Sequence, residues 1–206
     1  MRKTLLALAL GAAAALVCAA GAFAAPAQVV LIRHAEKPVN GSELSEQGFR
    51  RAEALVRFFQ SAPAVTRYGT PAAIYAAAPK HEDSSIRAIQ TVTPLALAVK
   101  LTINTSFTRG QTHKIVVDIM ENPGYAGRMV LICWQHGAIV DIVRELAEYG
   151  NPGPAAQVSL PYEWPDKIFD RVWIVDLYRG RVVSFQDIPQ SLLPGDSSKG
   201  SGELGE

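Results

Sequence analysis

The chain is poor in cysteine: Cys18 and Cys133 are the only two in 206 residues. That excludes the disulfide framework of small extracellular modules, so any fold must rest on an apolar core. Excess charge of one sign is missing too. Twenty Lys and Arg stand against 19 Asp and Glu, and no basic run suggests electrostatic capture of nucleic acid or of an anionic membrane surface. There is no internal repeat, and the one long apolar run is confined to the start. Arg2 and Lys3 precede the alanine-rich stretch Thr4 to Val17, and Ala22-Phe23-Ala24 puts small residues three and one before a cut ahead of Ala25. This pattern predicts a secretory signal peptide over residues 1–24 and no stable membrane anchor after cleavage. Ala15-Leu16-Val17 before Cys18 lacks the leucine-then-small pattern of a lipidation site. The expectation is therefore a periplasmic or secreted protein with Cys133 as its lone thiol.

What remains is long enough for one domain with a sizeable core, expected over residues 25–190. Val29-Val30-Leu31-Ile32 reads as a buried strand that stops at Arg33-His34. After a polar loop containing Asn40-Gly41, Ser45 is a natural N-cap, and Phe49, Ala52, Leu55, Val56 and Phe59 follow at helical spacing. Ala72 to Ala77 predicts a short strand. Ser84 or Ser85 should open a second helix that Pro94 bends or interrupts. Leu101 to Ile103 predicts a strand, Thr112 to Glu121 a helix, Met129 to Cys133 a buried strand and Ala138 to Tyr149 a helix. Asn151-Pro152-Gly153-Pro154 is a break. Val172 to Val175 and Val182 to Phe185 should pair as a hairpin across Arg179-Gly180. From Ser191 to the end the chain is polar and rich in Ser and Gly, which predicts a disordered tail over 191–206. Strands alternating with helices predict a single three-layer α/β/α domain with a largely parallel sheet.

Three segments carry chemistry. Arg33-His34 ends the first strand, Arg87 lies in the opening turn of a helix, and His136 sits in Trp134-Gln135-His136-Gly137 at a second strand-to-helix turn. Ligands gather at the carboxyl ends of strands in α/β folds, and helix N-termini favour anions. Guanidinium groups present a fixed fork to phosphoryl oxygens, and an imidazole can attack phosphorus near neutral pH. His34 by itself would pass for an ordinary strand-end residue. In company with Arg33, Arg87 and His136 it predicts a tetrahedral-anion site.

In these segments the chain resembles the histidine phosphatase superfamily, the phosphoglycerate-mutase-like fold. Arg33-His34-Ala35 stands where the family has Arg-His-Gly. Leu44-Ser45-Glu46-Gln47-Gly48-Phe49-Arg50-Arg51-Ala52 matches Leu-Ser-x-x-Gly-x-x-Arg-Ala, residues Ser84 to Thr91 match Ser-x-x-Arg-Ala-x-Gln-Thr, and His136-Gly137 matches the His-Gly turn. The motifs run in family order over residues 29 to about 148. The resemblance implies that His34 becomes a transient phosphohistidine while Arg33, Arg87 and His136 hold the phosphoryl oxygens, with no cofactor and no metal required. It also implies a phosphorylated small molecule or phosphoprotein as partner. Asn40 falls where relatives place a phosphate-contacting asparagine, with a loop role beside Gly41 as the alternative.

Ala35 and Gln135 depart from the family pattern, which has glycine and commonly serine there. Many members also carry a glutamate some twenty residues beyond the Arg87 position as leaving-group acid, but Leu101 to Gln111 holds no carboxylate. Glu82, Asp83, Asp118 and Asp166 are the remaining candidates, and the acid is unassigned. The rival reading is a catalytically weak phosphate- or phosphoprotein-binding module that keeps the same pocket. Elsewhere, Arg51, Arg57 and Lys37 read as solvated positions, and His81 and His113 as polar loop residues without metal-ligand spacing. Cys133 and Trp134 read as core, and Trp164-Pro165 with Phe169 as a structural or pocket-wall cluster.

Overall fold

The computed structural model describes residues 25–82, 84–150 and 158–197. The segment read as a signal peptide, Asp83, the 151–154 break and residues 198–206 lie outside the described residues. The order is β1 (Gln28–Arg33), α1 (Glu46–Ser61), α2 (Pro63–Thr66), β2 (Ala73–Ala76), α3 (Arg87–Val99), β3 (Ile103–Asn104), α4 (Thr112–Glu121), β4 (Met129–Trp134), α5 (His136–Glu148), β5 (Arg171–Tyr178) and β6 (Arg181–Pro189). The sheet runs β3-β2-β4-β1-β5-β6. β3, β2, β4 and β1 are mutually parallel, whereas β5 lies antiparallel to both β1 and β6.

The apolar runs of β1 and β4 are continuous because both faces of the sheet are covered. Val29 and Leu31 face α4 and α5, and Val30 faces α1 and α3. In β4, Val130 and Trp134 take the first side and Leu131 and Cys133 the second. Alternation by two thus splits the core into two clusters, the physical content of the three-layer architecture. Trp173 extends the first cluster, packed on Trp164 with ring centroids 4.8 Å apart and planes tilted by 43°.

Local signals explain most boundaries. Ser45 caps α1, its side chain accepting from the Gly48 N–H at 3.1 Å. Gly48 is required because a Cβ there would run into the Glu36 carbonyl oxygen. Arg179 (φ 52°) and Gly180 (φ 73°) make the tight turn of the β5–β6 hairpin. Two expectations are corrected. α3 opens at Arg87 rather than Ser84 or Ser85, with no side-chain cap at Ile86, and it runs unbroken through Pro94 to Val99. Packing of Val92, Leu95 and Ala96 against the sheet outweighs the one backbone bond that Pro94 forfeits.

Two further corrections concern the C-terminal segment. Arg51 is not solvated: it is 2% exposed and donates to both oxygens of Glu36 and both of Asp196. Asp196 belongs to the stretch read as disordered. Residues 191–197 instead fold back, with Leu192 against the core, the Leu192 and Leu193 N–H groups bonded to Asp196, and Ser197 N–H donating to Asp170. One buried cation with complementary carboxylates orders a segment whose composition carries little apolar content.

Candidate active site

β1 and β4 are parallel neighbours with Arg33 opposite Trp134, and the His34 N–H extends the ladder to the Trp134 carbonyl at 3.0 Å. Both strands therefore end at the same edge of the sheet, one releasing His34 and the other feeding directly into the first turn of α5 at His136. β2 ends beside them, the Ala77 N–H donating to the Cys133 carbonyl. Into this edge opens a cavity of about 980 Å³ whose walls include Arg33, His34, Arg87 and His136. The four groups from three segments thus border one space.

His34 is 8% exposed, and its Nδ1 lies 2.7 Å from the Ala35 carbonyl oxygen. A carbonyl can only accept, so Nδ1 carries the proton and Nε2 keeps its lone pair. Burial pushes the imidazole pKa down to about 4; the Ala35 bond opposes this, and the charges of Arg33, Arg87 and His136 reinforce it. The ring is therefore neutral across the physiological range. The turn behind it is fixed by the Ala35 N–H, which donates to Thr91 Oγ1 at 2.9 Å. Thr91 Oγ1 in turn donates to the Arg87 carbonyl at 2.7 Å. One threonine, present in the third motif but given no role there, ties the His34 turn to the first turn of α3.

Arg33 is 1% exposed. Its Nη1 donates to the carbonyls of Asp166 and Ile168 at 2.6 and 2.9 Å, and its guanidinium lies 3.9 Å from the centroid of the Phe169 ring. Its Nε is buried with no hydrogen-bond partner among the described residues. Burial lowers its pKa to about 10, which leaves it cationic at neutral pH. Arg87 is half-buried, and its Nε and Nη2 donate to the carbonyls of Glu43 and Gly41, tying the loop after β1 to α3. Burial lowers its pKa as well.

Gln135 replaces the family's common serine with a two-ended cap. Its Oε1 accepts from the Ala138 N–H at 3.1 Å, so its amide nitrogen is the group at 3.1 Å from His136 Nδ1. An amide N–H donates, which makes Nδ1 the acceptor and leaves the proton on Nε2. Burial lowers the His136 pKa, with the Arg33 charge acting in the same direction and Asp166 opposing it.

Asn40 is exposed and does not border the cavity. Of the four carboxylates weighed as leaving-group acid, the fold brings Asp166 to the site, with Oδ1 3.6 Å from His136 Nε2 and 3.8 Å from Arg33 Nη2. Asp118 instead accepts from the Tyr75 hydroxyl at 2.5 Å, and Glu82 is exposed away from the cavity wall. Asp141 also borders the cavity; one turn into α5, it was placed by no motif. Cys133 is fully buried, and burial pushes its thiol pKa up, so it is unsuited to thiolate chemistry. His113 lies on α4, the helix expected over Thr112 to Glu121, and pairs with Glu145 at 2.9 Å.

No family model matches the chain, and no curated protein matches it. The chain is similar to a solved structure of the protein histidine phosphatase SixA complexed with tungstate, at 14% identity over 79% of this chain and 97% of that one, with a TM-score of 0.49. It is similar to phosphoglycerate mutase from Plasmodium falciparum at 13% identity over 84% and 96%, TM-score 0.49. It is also similar to the native mycobacterial glucosyl-3-phosphoglycerate phosphatase at 13% identity over 79% and 97%, TM-score 0.47. At these identities the likeness is one of fold alone.

Proposed function

We propose that this protein is a histidine phosphatase that hydrolyses a phosphomonoester, or a phosphohistidine, through a covalent intermediate on His34. The carrying observation is the His34 tautomer: Nδ1–H is spent on the Ala35 carbonyl, so the nucleophilic lone pair is on Nε2 in a cavity that Arg33, Arg87 and His136 share. In the first step Nε2 attacks phosphorus, the bond from phosphorus to the leaving group (P–O in an ester, P–N in a phosphohistidine) breaks, and the leaving atom departs with the electron pair and takes a proton from water. The Nδ1–H···O=C bond stabilises the phosphorylated ring as it gains positive charge. In the second step water attacks phosphorus, the P–N bond breaks, and inorganic phosphate leaves with one proton released. Buried, fixed cations are suited to the charge that develops on the equatorial oxygens in both steps.

The leader-like segment Arg2 to Ala24 supports a site of action outside the cytoplasm, so mature protein from its host should begin near Ala25. The mechanistic reading is tested with an aryl phosphate, whose good leaving group needs little protonation, and by trapping labelled phosphate under alkaline conditions that preserve phosphohistidine. Turnover with a label on wild type and none on His34→Ala is the expected result. Tight phosphate binding without turnover would instead support the binding-module reading.

A further inference from the structure

The chain as a whole is almost neutral, with 20 Lys and Arg against 19 Asp and Glu, yet the cavity wall is not. Among the described residues that border it, Arg33, Lys37, Lys80, Arg87 and Arg109 are cations, and Asp141 is the single carboxylate. A transferred phosphoryl group occupies Arg33 and Arg87 together with the two histidines. Lys37, Lys80 and Arg109 are then left over, and none has a carboxylate within ion-pair distance among the described residues.

The backbone brings the segments of two of these groups, Lys80 and Arg109, together. Ala78 bridges Thr108 in parallel register, and its N–H donates to the Phe107 carbonyl at 2.8 Å. That contact places the chain leading to Lys80 alongside the chain leading to Arg109. The Arg109 turn is pinned to the end of β4, because its carbonyl accepts from Trp134 Nε1 at 3.0 Å. This bond uses the backbone and leaves the guanidinium free. Lys37 comes from the loop after His34. Lys37 and Arg109 both bear electrostatically on His136, and Lys80 lies with them on the cavity wall. Like charges gathered without counter-charges repel, and a cleft lined by one sign concentrates ligands of the other. The volume of about 980 Å³ is that of a site for a whole small molecule rather than a lone phosphoryl group.

We infer that the ligand of this cavity carries a second phosphate, held by Lys37, Lys80 and Arg109 while the first lies against Arg33, Arg87 and the histidines. The assignment rests on the proposed function only for the position of the first phosphate.

Calorimetric titration of the purified protein with non-hydrolysable phosphonates tests it. The probes are propylphosphonate, the α,ω-alkane bisphosphonates with one to four methylenes, and the carboxylate analogue phosphonoacetate. At least one bisphosphonate should bind about tenfold or more tighter than propylphosphonate, and phosphonoacetate should gain less. The triple variant Lys37→Gln, Lys80→Gln, Arg109→Gln should lose that tenfold on the bisphosphonate and no more than about twofold on propylphosphonate. All three positions are exposed, so the fold should tolerate the change. Arg57→Gln, an exposed cation on α1 away from the cavity, should reduce neither. Equal affinity for mono- and bisphosphonates, an equal gain from phosphonoacetate, or an equal loss in Arg57→Gln would overturn the second-phosphate assignment. Failure to turn over an aryl phosphate, with bisphosphonate selectivity intact, would overturn the phosphatase reading alone.

Discussion

Arg33 and Arg51 are almost equally buried, at 1% and 2% exposure, and are matched in opposite ways. Arg51 sits at the seam of α1, the loop after β1 and the C-terminal segment, where Glu36 and Asp196 each face it at 2.7 Å. Burial alone would depress its pKa, but the bonds to Asp196 and Glu36 outweigh that and raise it. Arg33 sits where the parallel strands end. It has two carbonyls, an aromatic face, one largely exposed carboxylate at 3.8 Å and an Nε with no hydrogen-bond partner among the described residues. Its pKa falls to about 10 because burial dominates. A buried guanidinium satisfied by carboxylates holds a fold together, whereas one left short of anions beside a cavity is prepared for an anion that arrives later. The two regions therefore divide labour: the C-terminal seam is complete in carboxylates, and the sheet edge, incomplete in them, suits a tetrahedral anion.

The sharpest way to break this comparison is on the incomplete side. His34→Ala should lower turnover of an aryl phosphate by several orders of magnitude, because the covalent route is lost rather than weakened. Its circular dichroism should stay near wild type at neutral pH, since the ring makes one hydrogen bond, to its neighbour's carbonyl. Undiminished turnover by pure, folded His34→Ala protein would remove the mechanism.

On the complete side the readout is stability. Arg51→Ala would strand two largely buried carboxylates, Glu36 and Asp196, at 12% and 6% side-chain exposure. Breaking a buried pair this way costs about 3–5 kcal/mol, measurable as a shift in urea midpoint at unchanged slope. Arg50→Ala, one residue away, is the control. Its pair with Glu46 is solvent-exposed on both sides and should contribute no more than about 0.5 kcal/mol. Equal losses in the two variants would show that Arg51 is not the anchor of the C-terminal segment.

The contrast between these arginines also marks where the sequence was legible and where it was not. The order of strands and helices, the Ser45 cap and the convergence of Arg33, His34, Arg87 and His136 could all be read, because each rests on local periodicity or on a position at an element end. Arg51 could not. On a helix wheel it is one more charged residue, and what buries it is Asp196, 145 residues away, in a segment whose composition suggests no fold at all. Pro94 misled for a related reason, since the tertiary packing that keeps α3 continuous is invisible to propensity. Asp166 and Asp141 illustrate the same limit at the site itself. A carboxylate with no surrounding motif is singled out only when the fold sets it beside the site, Asp166 near His136 and Asp141 on α5 at the cavity wall.

The pH dependence sharpens the incomplete side further. His34 is held well below the usual histidine pKa of about 6.5, at about 4, chiefly by burial. The attacking form is the neutral one, so kcat/KM, which reports the free enzyme, should stay on its plateau as pH falls through 6.5 and decline only near pH 4. Stability moves in the opposite sense to what an ion-paired histidine would give. Between pH 6.5 and 4 the unfolded chain binds a proton at His34 that the folded chain refuses, so the His34 contribution is full above 6.5 and is lost as pH falls toward 4. In His34→Ala this part of the acid sensitivity should disappear. A kcat/KM limb with its midpoint near 6.5 in wild type would show that the ring is not buried as described.

The smallest expected effect tests how His136 is held. Gln135 fills two roles with one amide: Oε1 caps α5 through the Ala138 N–H, and the amide nitrogen donates to His136 Nδ1. Gln135→Ala removes both, and the cap alone is worth about 1 kcal/mol. Glu separates them, because its carboxylate keeps the acceptor for the cap but has no N–H for the ring. If the fold alone matters, Gln135→Glu should restore stability and turnover together. If the amide sets the His136 tautomer, Gln135→Glu should regain the stability lost in the alanine variant and still turn over an aryl phosphate more slowly than wild type. Without the amide donor, Nδ1 can take the proton that belongs on Nε2, the nitrogen on the Asp166 side of the ring. The deficit should lie in kcat more than in KM, since it weakens a contact that tightens as charge develops on the phosphoryl oxygens.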